Sequence, residues 1–385
     1  MKWLVPLADL DYDDEEEAAV QAVVSRRWLT MGEETQQFES EFAAFTGVRH
    51  AIAVTNCTAA LHLAALALEL GPGDEVIVPS LTFVASANGM HYTGATPIFA
   101  DIVSDQDLNI SPTAIAAKIT KRTRAIVIVH YGGYPCDLSA ILQLARDNNL
   151  AVIEDAAHAP GSQLAGRHLG TWGDIGCFSF FSNKNLATGE GGMVTTNNDD
   201  LAEKMRLLRS HGMTSLTWDR HQGHAFSYDV VAPGYNYRID EIRSALGRIQ
   251  LQKLTSGNKR RAALNRLYEE QLSTRCPELT LSFYQTQGVF AYHLRPILLP
   301  SGVDRQHFMT VMKEQAIQTS IHYPPIHQFQ YYRQLHDSQP ISLPITEDIA
   351  TREVTLPLFA TMTTAQVDLV CQAVRVALNA ADAGA

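Results

Sequence analysis

The chain has little of what builds metal clusters or membrane spans. Five cysteines occur in 385 residues, at positions 57, 136, 177, 276 and 371, with no CxxC pair and no Cys/His cluster. Zinc and iron–sulfur centres are therefore not expected, and no metal is assigned. An odd, scattered set of thiols fits a reducing compartment, so a cytoplasmic location is expected. The longest apolar helical stretch, Ala59 to Leu70, is too short and too interrupted to cross a bilayer, so no membrane partner is expected. The opening MKWLVPLADLDYDDEEE turns acidic too early for a secretory signal. Basic residues number 30 against 41 acidic ones, a net charge of −11, which argues against a nucleic-acid partner. A local field in a cleft could still bind a small anion. No GxGxxG follows the first apolar run, which leaves a dinucleotide-dependent oxidoreductase poorly supported.

What is present is an alternating pattern. Hydrophobic residues make up 46% of the chain, enough for a large domain and a smaller one. Seven short apolar runs occur in the first half: 50–56, 75–79, 96–100, 124–129, 150–155, 174–180 and 191–196. Several are unbroken Val/Ile/Ala stretches, as in strands buried on both faces. Helical patterns at 58–70, 80–91, 111–118 and 138–148 separate most of them, so an α/β domain with a mostly parallel seven-stranded sheet is expected. Too few residues join the sixth and seventh runs for a parallel crossover, so the seventh strand should be antiparallel. A long helix over 240–272 leads to a smaller α+β region with a strand at 289–299 and helices at 304–315 and 364–380. The tail 379–385 is expected to fray. The division expected is residues 1–250 and 251–385, with the acidic N-terminal segment packing on the second part.

The chemistry concentrates in two places. Lys184 lies between an apolar strand and the turn Gly189-Glu190-Gly191-Gly192, and Glu154-Asp155 closes the fifth run. A lysine placed to form a Schiff base and a carboxylate placed to hold a pyridinium nitrogen are what pyridoxal 5′-phosphate requires. The plainer readings are a solvated surface lysine and an aspartate N-cap for a helix starting at Ala156. His158 would follow one helical turn later. Thr58 is read as the cap of the helix after the first strand and as a phosphate ligand, with Ser179 as a second hydroxyl. Phe83 could stack on a flat ring or serve as core. Gly234-Tyr235-Asn236-Tyr237-Arg238 reads as a polar aromatic loop, and His322-Tyr323-Pro324-Pro325-Ile326-His327 as a rigid loop lining a cleft.

These segments, in this order, resemble the DegT/StrS-type pyridoxal-phosphate-dependent sugar aminotransferases of the aspartate-aminotransferase fold (fold type I). The likeness extends from Trp28-Leu29-Thr30-Met31-Gly32 through Gly73-Asp74-Glu75-Val76-Ile77-Val78-Pro79, Glu154-Asp155-Ala156-Ala157-His158-Ala159 and Lys184-Asn185 to Leu356-Pro357. It implies an enzyme that moves an amino group from L-glutamate to a nucleotide-linked keto-sugar. Lys184 would bind the cofactor covalently and shuttle a proton, and Asp155 would pair with the ring nitrogen. His158 would contact the ring oxygen, Phe83 would stack, and Thr58, Ala59 and Ser179 would hold the phosphate. Asn236 would reach the cofactor of a second subunit, which implies a homodimer with shared active sites. Tyr323, His322, His327 and Arg238 are candidates for the substrate side. Relatives often have Ser-Gly-Thr where this chain has Asn56-Cys57-Thr58, which weakens Ala59 as a ligand. The resemblance also admits a cyclitol ketone acceptor, a keto-sugar dehydratase, or a non-catalytic regulatory relative. The dehydratase branch replaces the lysine by histidine, and Lys184 is present.

Overall fold

The computed structural model describes residues 2–215, 227–336 and 340–382, together with Trp218, His221 and Gly223. The seven expected strands all form: β1 His50–Val54, β2 Glu75–Pro79, β3 Thr96–Ala100, β4 Thr123–Val129, β5 Ala151–Asp155, β8 Ile175–Ser179 and β9 Gly192–Thr196. A small hairpin, β6 Gln163–Leu164 with β7 Arg167–His168, projects between β5 and β8. The sheet order is β1-β9-β8-β5-β4-β2-β3. Its pairs are parallel except those made by β9, which runs against both β1 and β8. The antiparallel seventh strand is thus as expected, because the loop carrying Lys184 can only reverse the chain. β2, β8 and β9 are buried throughout, which their lack of polar alternation anticipates.

Helices cover both faces of the sheet. They are α1 Asp14–Arg26, α2 Glu33–Thr46, α3 Cys57–Ala67, α4 Ala85–His91, α5 Pro112–Lys118, α6 Leu138–Asn148 and α7 Asp199–Arg209. One core cluster joins α3, α4 and α7 to the sheet, and another joins α2, α5 and α6 to its opposite side. The long helix α8, Glu241–Arg275, is capped by the Asp240 side chain and supports α1 and α2. Beyond it, β10 Arg295–Leu298 pairs antiparallel with β11 Glu353–Leu356. Helices α9 Arg305–Glu314, α10 Gln330–Leu335, α11 Pro344–Arg352 and α12 Thr364–Asp382 complete the chain, and a third core cluster gathers beneath α8, α9 and α12. Residues 4–7 bond to this region, with Leu4 and Val5 N–H both donating to the Ala316 carbonyl. Among the described residues no helix is long and apolar enough to cross a membrane.

Four expectations are corrected. The helix read from Ser80 begins at Ala85, because Ser80 and Thr82 turn their hydroxyls to His327 and Ser86. The strand read over 289–299 is only Arg295–Leu298, since β11 offers four residues to pair with. Phe290 and Tyr292 instead pack as aromatics around Tyr134. No helix starts at Ala156, whose N–H is drawn to the Cys177 carbonyl of β8. The C-terminal helix runs on through Asp382, and the rest of the tail lies outside the described residues.

Candidate active site

The carboxyl ends of β4, β5 and β8 and the start of α3 meet at a cleft of about 690 Å³. This is where open α/β sheets bind ligands. Thr58, Phe83, Asp155, His158, Ser179, Lys184, His322 and Tyr323 all line it. The structure therefore brings together eight residues that the sequence scatters over 266 positions, from 58 to 323.

Lys184 follows β8 in a loop that Thr188 ties back through its N–H to the Phe180 carbonyl. Gly189 takes a positive φ of 82° to complete the turn. Gly192 must lack a side chain, because a Cβ there would meet the Asn56 backbone at 2.7 Å. That contact places the lysine loop against the start of α3. Lys184 is half-buried, and protein atoms surround its amine. Burial lowers its pKa from 10.5 to about 8, opposed by Asp155 and Cys57. With its pKa there, about a tenth of the amine is uncharged at pH 7, roughly three hundredfold more than for an ordinary lysine.

Adjacent carboxylates at the end of β5 have divided roles, because successive strand residues face opposite sides. Asp155 is 5% exposed and faces the cleft. Its Oδ2 accepts from Ser86 Oγ at 2.6 Å and its Oδ1 from the Ala157 N–H at 3.1 Å. Burial raises its pKa, while Ser86, Ala157, Lys184 and His130 pull it back. It is thus an acid suited to share a proton with a cationic ring nitrogen. Glu154 points the other way and accepts from the N–H groups of Gly170, Trp172 and Gly173 and from His130. Asp155 does cap a backbone N–H, but in a turn and not at a helix start.

At α3 the N-cap is Asn56, not Thr58: its Oδ1 accepts the Ala59 N–H at 2.8 Å. The Ala59 amide is therefore already engaged, and Ala59 does not line the cleft. Cys57 and Thr58 do, at the positive end of the helix, with Ser179 nearby. Phe83, 58% exposed, forms a wall facing Tyr323, with ring centroids 6.2 Å apart. His158 receives the Gly132 N–H at Nδ1, so its neutral ring carries hydrogen at Nε2, 2.9 Å from the Tyr323 hydroxyl. Burial first, then Lys184 and His322, drive its pKa well down. His322 is brought down to about 3 by burial and Lys184, and its Nδ1 lies 2.8 Å from Thr355 Oγ1.

Three further candidates, besides Ala59, lie elsewhere. His327 does not line the cleft; its ring bonds Ser80 Oγ at 2.7 Å and Glu347 Oε1 at 3.1 Å, which fixes the loop that carries Tyr323. Asn236 bridges to Ser210, and Arg238 is partly buried near Arg209; neither lines this chain's own cleft. Sequence reading missed Ser86, Asn183, Glu190, Ser320 and His293. Only Ser86 gave a cue, as a small hydroxyl in the segment after β2. His293 sits inside an apolar run that reads as core, yet its Nε2 is 3.4 Å from Lys184 Nζ.

Amine, acid, hydroxyls at a helix start and an aromatic wall form the donor set that an anionic, aldehyde-bearing pyridine requires, so the site fits pyridoxal phosphate. Residues 10–375 match the model of the DegT/DnrJ/EryC1/StrS aminotransferase family. The chain is 42% identical over 373 residues to the spore coat polysaccharide biosynthesis protein SpsC of Bacillus subtilis (strain 168), covering 96% of this chain and 95% of that protein. It is similar in structure to Helicobacter pylori PseC, an aminotransferase involved in the biosynthesis of pseudoaminic acid, with a TM-score of 0.90 and 30% identity over 98% of this chain and 100% of PseC. DesI, whose crystal structure was analysed in the presence of its TDP-sugar product, gives a TM-score of 0.87 and 29% identity over 100% of this chain and 95% of DesI. The chain belongs to the DegT/DnrJ/EryC1/StrS aminotransferase family and is a pyridoxal-phosphate-dependent aminotransferase.

Proposed function

We propose that this protein moves the amino group of L-glutamate to a nucleotide-linked keto-sugar. The observation that carries this reading is the amine of Lys184 and the carboxyl of Asp155 facing one cleft with Phe83 on its wall. A sugar acceptor is supported by the polysaccharide role in the name of SpsC and by the TDP-sugar product of DesI. Cys57, Thr58 and Ser179 would hold the cofactor's phosphate, Asp155 its ring nitrogen, His158 its ring oxygen, Phe83 its face and Lys184 its aldehyde carbon. When bound, the cofactor supplies an aldehyde that condenses with amines and a ring that accepts electrons. Lys184 Nζ takes a proton from the carbon bearing the donor's amine and later delivers one to the acceptor carbon. Asp155 holds a proton for the ring nitrogen. Tyr323 and Phe83 stand on facing sides of the cleft, their ring centroids 6.2 Å apart.

A homodimer with shared active sites completes the proposal. Asn236 lies outside its own cleft, and exposed apolar residues at Tyr228, Val230 and Val231 precede it in sequence. The test is to incubate purified protein, pyridoxal phosphate and L-glutamate with a panel of nucleotide keto-sugars, then measure 2-oxoglutarate and product mass. Equal amounts of 2-oxoglutarate and amino sugar are expected. A product that has lost a hydroxyl without gaining nitrogen would overturn the transferase reading.

A further inference from the structure

The amide groups around the lysine loop form a chain of hydrogen bonds with only one possible direction. Asn258, on α8, donates through Nδ2 to the Pro160 carbonyl at 2.9 Å. Its Oδ1 is left to accept from Asn185 Nδ2 at 2.7 Å. Asn185 Nδ2 also donates to the Ala291 carbonyl at 2.7 Å. Backbone carbonyls only accept, so neither amide can be flipped without placing oxygen against oxygen. Asn185 Oδ1 then faces His293 Nδ1 at 3.0 Å and requires a hydrogen from it. A neutral imidazole has one hydrogen, so His293 Nε2 carries a bare lone pair, 3.4 Å from Lys184 Nζ.

We propose that His293 is a positioning residue for the free Lys184 amine: locked as the Nδ1–H tautomer by Asn185 and Asn258, it accepts a hydrogen from Nζ and so aims the nitrogen lone pair into the cleft. This deepens the aminotransferase reading and rests on it. The lysine must be held whenever it is not bound to the cofactor, and a long, flexible stem would otherwise leave it mobile. An imidazole can perform this task only while uncharged. His293 is 6% exposed, and burial, then Lys184, His158, Arg261 and His322, push its pKa well below the ordinary value. The other titratable groups facing Lys184 are Asp155, Cys57, His158 and His322. His158 flanks His293 with ring centroids 4.5 Å apart but bonds Tyr323, so it does not substitute as the acceptor.

The decisive measurement uses the cofactor-free protein. The pH dependence of Lys184 labelling by acetic anhydride, followed by mass spectrometry, yields the pKa of its amine. A lone-pair acceptor stabilises the ammonium form, so His293→Phe should lower that pKa by about one unit, a tenfold change in proton affinity. His293→Gln, which restores an oxygen acceptor, should recover most of the shift. An unchanged pKa in His293→Phe would mean that the histidine only packs, and a rise would mean that it is cationic; either overturns the inference. Should His293→Phe fail to fold, nitrogen-15 NMR of histidine-labelled native protein decides alone. A signal for His293 protonated at Nδ1 and bare at Nε2 supports it, and any other protonation pattern refutes it. Failure of the native protein to turn yellow with pyridoxal phosphate would sink the aminotransferase reading separately, because neither measurement uses the cofactor.

Discussion

Replacing Glu154 by glutamine tests how the end of β5 assigns its two acids. Glu154 is fully buried. Its Oε1 accepts from Trp172 N–H at 2.5 Å and Gly173 N–H at 2.6 Å; its Oε2 accepts from Gly170 N–H at 2.7 Å and meets His130 Nε2 at 2.9 Å. A glutamine must place NH2 at one of these sites. At Oε1 it would oppose two backbone donors. At Oε2 it would oppose the Gly170 N–H and His130, whose Nδ1 receives the Cys136 N–H and whose neutral ring therefore has its hydrogen at Nε2. The milder case leaves one buried backbone donor unsatisfied and removes one bond to a charged acceptor, together about 2.5–6 kcal/mol. Against a typical stability of about 5–15 kcal/mol, Glu154→Gln should melt far below the native protein in a calorimetric or fluorescence scan. Asp155→Asn is the control. Asparagine can still accept from Ala157 and donate to Ser86 Oγ, so the cofactor-free variant should lose less than about 1.5 kcal/mol while losing transamination. A loss below about 1 kcal/mol for Glu154→Gln, or equal melting of the two variants, would refute the division of roles.

The reactivity of Lys184 should follow its lowered pKa. Only the neutral amine attacks an aldehyde, so the initial rate of cofactor capture by cofactor-free protein should rise with pH through about 8 and level above it. At pH 6 that rate should be about a hundredfold below the plateau. Stopped-flow absorbance measures it, and a midpoint near 10.5 would show an unburied lysine. Lys184→Ala should retain no cofactor after borohydride treatment, as judged by intact mass. Phe83→Ala should weaken cofactor retention by about threefold to tenfold, the worth of one aromatic stack, in equilibrium dialysis. Gly192→Ala should lower stability by about 1–3 kcal/mol and weaken cofactor binding, since its Cβ would push on the Asn56 backbone at the start of α3.

Strand positions were legible because buried parallel strands must be continuously apolar, and β2 and β3 match their expected bounds residue for residue. The reversal at Lys184 was legible from loop length alone. Helix starts were less so. Thr58 looked like a cap because threonine often is one, yet Asn56 takes the role. Ser80 looked helical because its apolar neighbours fit the period, but its hydroxyl serves a histidine 247 positions away.

By itself the sequence determined the alternation of strands and helices, the lysine between two reversing strands and the acid at a strand end. These follow from local periodicity and the reach of short loops. Only the tertiary structure decided which acid faces the cleft, that the Ala59 amide is already engaged, that His327 supports a loop and does not line the site, and that His293 stands beside Lys184. Apart from the Ala59 amide, which its neighbour Asn56 caps three positions away, each depends on groups about 20 to 250 positions apart. Their meeting is set by how layers pack, not by any pattern within a single segment.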